Sequence, residues 1–502
     1  MEVTTSLAHV SENGEFRFAD LNHTLAMTLE PEACYRALSA KDSRFDGLFF
    51  VGVESTGIYC RCVCTARTPK RQNCTFFANA AAAEHAGFRP CLLCRPEAAP
   101  GRSRVDAVGR LATVAVRRIE DGALTDTSLA AFAEELGVTD RHLRRAVLSH
   151  YGVTPHELLQ TQRLLVAKRL LTDTRMPIGE VATASGFASL RRFNAVFRQR
   201  YRLSPSGIRK TKKPAGADSI IFETGYRAPY DWHSILDFLA SRAVPQVEFV
   251  RDGKYLRTAA FSERVRGWIA VSPVQGKNAL RVEASADLAP AIPQILRRVR
   301  RLFDTASEPE IIAEVLGDLA QDRPGLRVPG AFDGFEAATR AILGQQITVS
   351  GARTLAGRLV AQFGPSIETP YPALGRGFPG AEEIAKASVD DIGSLGVVGK
   401  RAKALIAVAQ AVATKELRLL PGSDVQETTD RLCRIEGIGP WTAQYIAMRA
   451  LSYPDAFPHS DLGILKALGT RDPKEAFANA ERWRPWRAYA ALHLWRGLSA
   501  AH

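Results

Sequence analysis

IEGIGPWTAQYIAMRALSYPDAFPHSD, residues 435–461, is the stretch on which the reading of this chain turns. Gly437-Ile438-Gly439 sits between two helix-forming runs, and glycine lets a backbone bend tightly and approach another molecule closely. The amides of such a turn are free to meet a DNA phosphate. Asp461 comes 22 residues after Gly439, just past Pro458, where a loop enters the next helix. A glycine hairpin alone is a weak signal. Joined to a downstream Pro-x-x-Asp, it predicts a helical pair that faces DNA and carries a carboxylate beside it.

The rest of the chain is built around nucleic acid as well. Its 502 residues exceed one ordinary core and predict three or four domains. A composition of 46% hydrophobic and 24% charged residues is that of a globular protein. No uncharged apolar run is long enough to span a bilayer, and residues 1–21 lack the apolar core of a secretory signal. The expectation is therefore a cytoplasmic, nucleoid-associated protein without a membrane partner, with residues 1–27 as an unstructured leader. Of eight cysteines, seven precede residue 95, which suits metal binding better than a spread disulfide framework. The net charge of +13 is also concentrated: residues 101–213 hold 21 Lys or Arg against 10 Asp or Glu, a net +11 suited to phosphate neutralisation.

Two motifs account for these concentrations. Cys60-x3-Cys64 and Cys91-x2-Cys94 have the spacing of one tetrahedral zinc site, and Arg61, Arg67 and Arg89 lie among them. Further on, Ala133-x3-Gly137 recurs 49 residues later as Ala182-x3-Gly186. The small residue lets two helices cross closely, and the glycine permits the left-handed turn between them. Each repeat is followed by a cationic helix, with Arg141, Arg144 and Arg145 in the first and Arg191 and Arg192 in the second, as a major-groove reader needs. A helix over 155–171 is expected to join the two units.

These motifs carry three resemblances. The repeat, with Phe193, Phe197, Tyr201 and Ser204-Pro205 closing it, resembles the two-unit DNA-binding domain of the AraC family. Residues 33–96 resemble the N-terminal domain of the Ada DNA-repair proteins, through Phe45-Asp46-Gly47, Thr56-Gly57-Ile58-Tyr59-Cys60-Arg61 and Gly87-Phe88-Arg89-Pro90-Cys91. In that family four cysteines bind zinc, and the first takes a methyl group irreversibly from a DNA methylphosphotriester. By this resemblance Cys60 is the acceptor, and Cys60, Cys64, Cys91 and Cys94 bind one Zn²⁺. Cys62 departs from the family pattern and could compete as ligand or acceptor, while Cys34 and Cys74 read as buried thiols.

Residues 226–497 resemble 3-methyladenine DNA glycosylase II of the AlkA type. The resemblance implies that Asp461 stabilises an oxocarbenium-like sugar as the glycosidic bond breaks. It also implies that Trp441, Tyr445 and Trp495 line an electron-rich base pocket, that Gln346 enters the gap left by a flipped base, and that Gly437 and Gly439 contact phosphate. Trp441 occupies the position where related bifunctional enzymes carry a Schiff-base lysine, so base excision without strand cleavage is expected. The block has only Cys433, which leaves no four-cysteine iron–sulfur cluster, and Glu436 replaces the family's usual proline. The Pro-Cys-His-Arg motif that marks O6-methylguanine repair is absent from the sequence.

The expected fold is thus multidomain. A small α/β zinc domain (28–100, with a strand expected over 47–53, GLFFVGV) precedes an all-α AraC-type double helix-turn-helix domain (103–210) and a linker (211–221, with KTKKPAG at 210–216). An α+β part (222–300, with strands expected near 246–250, 268–271 and 280–284) and a helix-hairpin-helix glycosylase domain (301–502) complete it. The expected partners are double-stranded DNA, alkylated or promoter, and RNA polymerase at the promoter. Two other readings stand beside this one: a DNA-binding regulator whose glycosylase-like block is inactive, and a redox- or metal-sensing regulator suggested by Cys62.

Overall fold

Glu30 accepts hydrogen bonds from the amides of Glu32 and Ala33 and so caps the helix Pro31–Ala40. The computed structural model describes residues 30–100, 111–120, 128–174, 176–209 and 219–500; the expected leader and the 210–216 linker lie outside them. Beyond the first helix, β1 (Phe50–Val53), β2 (Ile58–Cys60), β3 (Cys74–Phe77) and β4 (Arg89–Pro90) form a sheet of order β3-β1-β2-β4. Its single parallel pair, β2 with β4, brings the first cysteine pair toward the second. Gly52 in β1 is required by packing: a Cβ there would stand 2.8 Å from the Phe77 ring and 2.9 Å from that of Phe88. The strand expected over 47–53 thus forms only in its second half.

The middle block is helical, as its apolar spacing predicts. Each repeat gives a short helix, a turn and a longer one: Leu129–Glu135 before Asp140–Tyr151, and Ile178–Ala184 before Leu190–Tyr201. Both turn glycines adopt positive φ, +69° at Gly137 and +81° at Gly186. Ala133 and Ala182 are buried at the crossings. The joining helix runs Pro155–Asp173 and starts at a capping box of Thr154 and Glu157.

A second sheet of order β5-β9-β8-β7-β6 opens the last block, antiparallel throughout: β5 (Ser219–Gly225), β6 (Glu248–Arg251), β7 (Lys254–Ala260), β8 (Arg266–Pro273) and β9 (Ala279–Ser285). The strands expected near 246–250, 268–271 and 280–284 are β6, β8 and β9, whereas β5 and β7 had no strand expectation. Helices follow, and Val425–Arg434 and Pro440–Arg449 flank the glycine hairpin. Among the described residues, no helix is long and apolar enough to cross a membrane.

The apolar clusters cut across these blocks. One joins Ala81 of the zinc block to the first helix-turn-helix unit and ends at Leu158. Another begins at Leu164, takes in the second unit and continues through the second sheet to Leu494. The helix Pro155–Asp173 therefore belongs to both. Its Lys168, 1% exposed, donates to the Cys91 carbonyl at 3.0 Å and to Glu97 at 2.8 Å. The burial of this amine depends on both acceptors.

Candidate active site and metal centre

Asp461 is the N-cap of the helix Leu462–Ala467. Its Oδ1 accepts from the amides of Gly463 (2.9 Å) and Ile464 (3.1 Å) and from the Trp495 indole (2.8 Å). Oδ2 accepts from the Trp441 indole at 2.9 Å. Two amides come with the helix start, and two indoles arrive from other helices, so the carboxylate is oriented by four donors. The Trp441 ring stacks on Tyr445 with centroids 5.4 Å apart and planes 10° from parallel, and Trp495 lies 6.4 Å beyond Tyr445. Together they line one cavity of about 400 Å³ with Asp461 in its wall, a volume within the range of small-molecule sites.

Arg242, Arg340 and Arg449 also line this cavity, and the aromatic motifs gave no hint of them. Arg449 donates to the Tyr445 hydroxyl at 2.8 Å. Burial pushes the Tyr445 phenol up, but Arg449, Arg242 and Arg340 outweigh it and hold the group below its ordinary value of 10. Arg340 is itself anchored by Glu248 (2.7 Å) and Glu336 (3.0 Å) and donates to the Arg242 carbonyl. The available sequence signal was the four-residue spacing of Tyr445 and Arg449 on one helix face.

The hairpin is tied to the loop that carries Gln346. Gln345 donates to the Gly437 carbonyl and to the Thr442 hydroxyl, both at 2.9 Å. Gln346 itself is exposed at a positive φ of +54°. Gly437 has φ +92°, Gly439 is exposed, and Glu436 lies in solvent 3.9 Å from Lys400.

At the other end of the chain, the sulfurs of Cys60, Cys64, Cys91 and Cys94 lie within 4.8 Å of one another. A Zn–S bond of about 2.3 Å sets tetrahedral sulfurs about 3.8 Å apart, so this soft four-thiol set fits one zinc ion. The Leu93 amide donates to the Cys91 sulfur at 3.3 Å and the Arg61 amide to that of Cys94 at 3.4 Å, as metal-bound thiolates require. Cys62 is outside the cluster: it is fully buried and its thiol donates to the Asp42 carbonyl at 3.3 Å. Burial pushes that thiol up.

The cations expected to meet DNA differ in setting. Arg61 is turned inward, its guanidinium on Asp46 and, at 3.2 Å, on the Cys94 carbonyl. Arg67 is exposed and Arg89 half-buried. Arg141, Arg145, Arg191 and Arg192 are exposed on the second helices of their units, and Arg144 pairs with Asp140 at 2.8 Å.

A four-cysteine knuckle, two helix-turn-helix units and a helix-hairpin-helix block with an aromatic pocket define a regulator fused to a glycosylase-type module. Family descriptions match in the same order: the metal binding domain of Ada over residues 33–97, a helix-turn-helix domain over 132–211, the AlkA N-terminal domain over 221–333 and the HhH-GPD superfamily of base excision DNA repair proteins over 339–483. A probable bifunctional transcriptional activator/DNA repair enzyme AlkA of Mycobacterium tuberculosis (strain H37Rv) is 38% identical over 485 residues, covering 93% of this chain and 96% of the relative. The chain belongs to this family of bifunctional transcriptional activator/DNA repair enzymes. The DNA-3-methyladenine glycosylase 2 of Escherichia coli K12 is 38% identical over 275 residues, 55% of this chain and 96% of that protein. A 3-methyladenine DNA glycosylase structure from Archaeoglobus fulgidus superimposes with a TM-score of 0.48 at 22% identity, over 55% of this chain and 97% of that one.

Proposed function

We propose that the chain repairs alkylated DNA at two sites and regulates the response to that damage. The division is 28–100 for methyl acceptance at zinc, 103–210 for AraC-type promoter binding, and 222–300 with 301–502 for base excision. The observation that carries the reading is Asp461, clasped by two indoles at the wall of an aromatic cavity. A base flipped between the rings of Trp441, Tyr445 and Trp495 places its sugar beside Oδ2, where the carboxylate stabilises positive charge as the glycosidic bond breaks. With an indole at position 441 instead of an amine, water completes the reaction and the strand stays intact. The free amides of Gly437 and Gly439 hold a phosphate, and exposed Gln346 fills the gap in the duplex.

In the first block, zinc when bound keeps the cysteine sulfurs as thiolates at neutral pH. Cys60 attacks the methyl carbon of a phosphotriester; a C–S bond forms, the C–O bond breaks, and a phosphodiester anion leaves. Arg67 and Arg89 neutralise the backbone around the triester, and Arg61 positions the Cys94 loop. The loss of one thiolate charge then favours phosphate approach, and Arg141, Arg144, Arg145, Arg191 and Arg192 bind the promoter for RNA polymerase.

A duplex carrying a 3-methyladenine-type lesion tests the excision half. Wild type is expected to leave alkali-labile sites without prior nicks, and Asp461→Asn, which keeps the helix cap, to fall at least about a hundredfold. An unchanged Asp461→Asn rate would remove Asp461 from catalysis. Peptide mass spectrometry after incubation with methylphosphotriester DNA tests the other half. A methyl group on Cys60 supports it, and a methyl group on Cys62 or on no cysteine refutes it.

A further inference from the structure

A cavity of about 120 Å³ lies where the zinc block, the second helix-turn-helix unit and the helix Ile292–Leu302 meet. It shares no wall residue with the Asp461 cavity. Four guanidinium groups line it: Arg163 and Arg169 from the helix Pro155–Asp173, and Arg297 and Arg300 from Ile292–Leu302. Glu97 is the one carboxylate among the described wall residues, and it is already held by Lys168 at 2.8 Å and Arg95 at 3.1 Å.

Two of the arginines are incompletely paired. Arg169 is only 4% exposed and its buried Nε has no hydrogen-bond partner, although another of its nitrogens donates to the Glu223 carbonyl. Burial, and then Arg95 and Arg300 nearby, bring its guanidinium down to about 9, against the opposing pull of Glu97 and Asp173. Arg163 makes no hydrogen bond or ion pair among the described residues, and burial and Arg192 lower it too. A buried guanidinium such as that of Arg169, set among three half-buried ones, is more favourable when an anion joins it. The space is enough for one tetrahedral oxyanion.

We propose that this junction cavity binds a phosphate-type oxyanion between Arg163 and Arg169 on one side and the Arg297 and Arg300 wall of Ile292–Leu302 on the other, and that an occupied site fastens the second helix-turn-helix unit to the glycosylase block. The oxyanion has two sources, free inorganic phosphate or a DNA backbone phosphate beside the helix Leu190–Tyr201, whose Arg192 is electrostatically coupled to Arg163.

The test uses full-length, zinc-loaded protein titrated with sodium phosphate against sodium chloride at matched ionic strength, and then with duplex DNA across a salt series. Arg163→Gln is the informative variant, because its side chain has no partner to orphan; Arg169→Met is a second variant whose folding is checked first. Wild type is expected to bind phosphate in preference to chloride, and Arg163→Gln to bind it about tenfold more weakly, as loss of one charge-assisted pair implies. For a DNA source, phosphate and duplex compete and Arg163→Gln lowers the salt slope of DNA binding by about one. For a free source, both bind together and the slope is unchanged. The proposal is overturned if phosphate binding is the same in Arg163→Gln as in wild type, or if wild type shows no phosphate preference and the variant's salt slope is unaltered.

Discussion

Four donors converge on Asp461, and they are not equivalent. The two amides come with the helix cap and would hold any Asp or Asn at that position, whereas the indoles of Trp441 and Trp495 are supplied by the tertiary fold. Trp441→Phe keeps an aromatic face against Tyr445 but removes the donor to Oδ2. The expected outcome is a loss of about tenfold in single-turnover excision rate with stability changed by no more than about 1 kcal/mol, the worth of one hydrogen bond. Equal rates for Trp441→Phe and wild type would show that the indole orients nothing. Asp461, Trp441 and Tyr445 were legible because they lie within one short motif, whereas Trp495 was reached only through the resemblance over residues 226–497. The sequence could not show that the rings also fix the carboxylate, since Trp495 is 34 residues away and only folding makes that bond. Arg242 and Arg340 were illegible for the same reason, and Cys62 differs from Cys60 and Cys64 only in where its thiol points.

At the scale of elements, the two helix-turn-helix repeats look alike in sequence but differ in surroundings. Nothing lies within 4 Å of a Cβ at Gly137, whereas one at Gly186 would stand 2.9 Å from Arg163 Nε. Gly137→Ala is therefore expected to cost only the left-handed penalty, about 1–2 kcal/mol. Gly186→Ala carries that penalty and also displaces the unpaired end of Arg163, a cheap shift, so the two unfolding midpoints should fall by similar amounts; a much larger fall for Gly186→Ala would show that Arg163 is held in place. The repeat was legible because glycine spacing is local; β5 and β7 were not, because their pairing is set by neighbours distant in the chain. A buried carboxylate makes another element-scale link: Glu84, in the helix Ala80–His85, accepts from Tyr59 (3.1 Å) and from Thr161 (2.9 Å) on the joining helix. Burial pushes Glu84 up to about 7 from its ordinary 4.5. The folded state then holds a proton that the unfolded chain releases near 4.5, so the stabilisation is full below that pH and is lost as pH rises to 7. By linkage this amounts to roughly 3 kcal/mol at most. The stability difference between wild type and Glu84→Gln, from denaturant titrations, should favour wild type more at pH 5 than at pH 8; a pH-independent difference would contradict the assignment.

Across the whole molecule, the division into blocks that spacing suggests is not the division of the apolar cores. The joining helix Pro155–Asp173 enters the first unit's core at Leu158 and the larger core at Leu164, and Lys168 reaches from it to the zinc knuckle. These links were invisible in the sequence because Lys168 and Glu97 are 71 residues apart and neither belongs to a motif. They bear on metal removal. Without zinc, four crowded thiols replace a metal-centred turn, and the Cys91 carbonyl and Glu97 lose the scaffold that holds them against Lys168. A buried amine that loses both acceptors destabilises its helix by about 3–5 kcal/mol. Chelation is therefore expected to speed amide hydrogen exchange in β2, in β4 and in the 161–169 turns of the joining helix. Pro440–Arg449 and Arg487–Ala500, packed in the larger core or around Asp461, should keep their protection. Unchanged exchange at 161–169 after chelation would mean that the knuckle and the joining helix fold independently. Accelerated exchange there would make the metal centre a structural input to the helix that carries both recognition units, so that chemistry at Cys60 has a covalent and packed route to the DNA-binding surface.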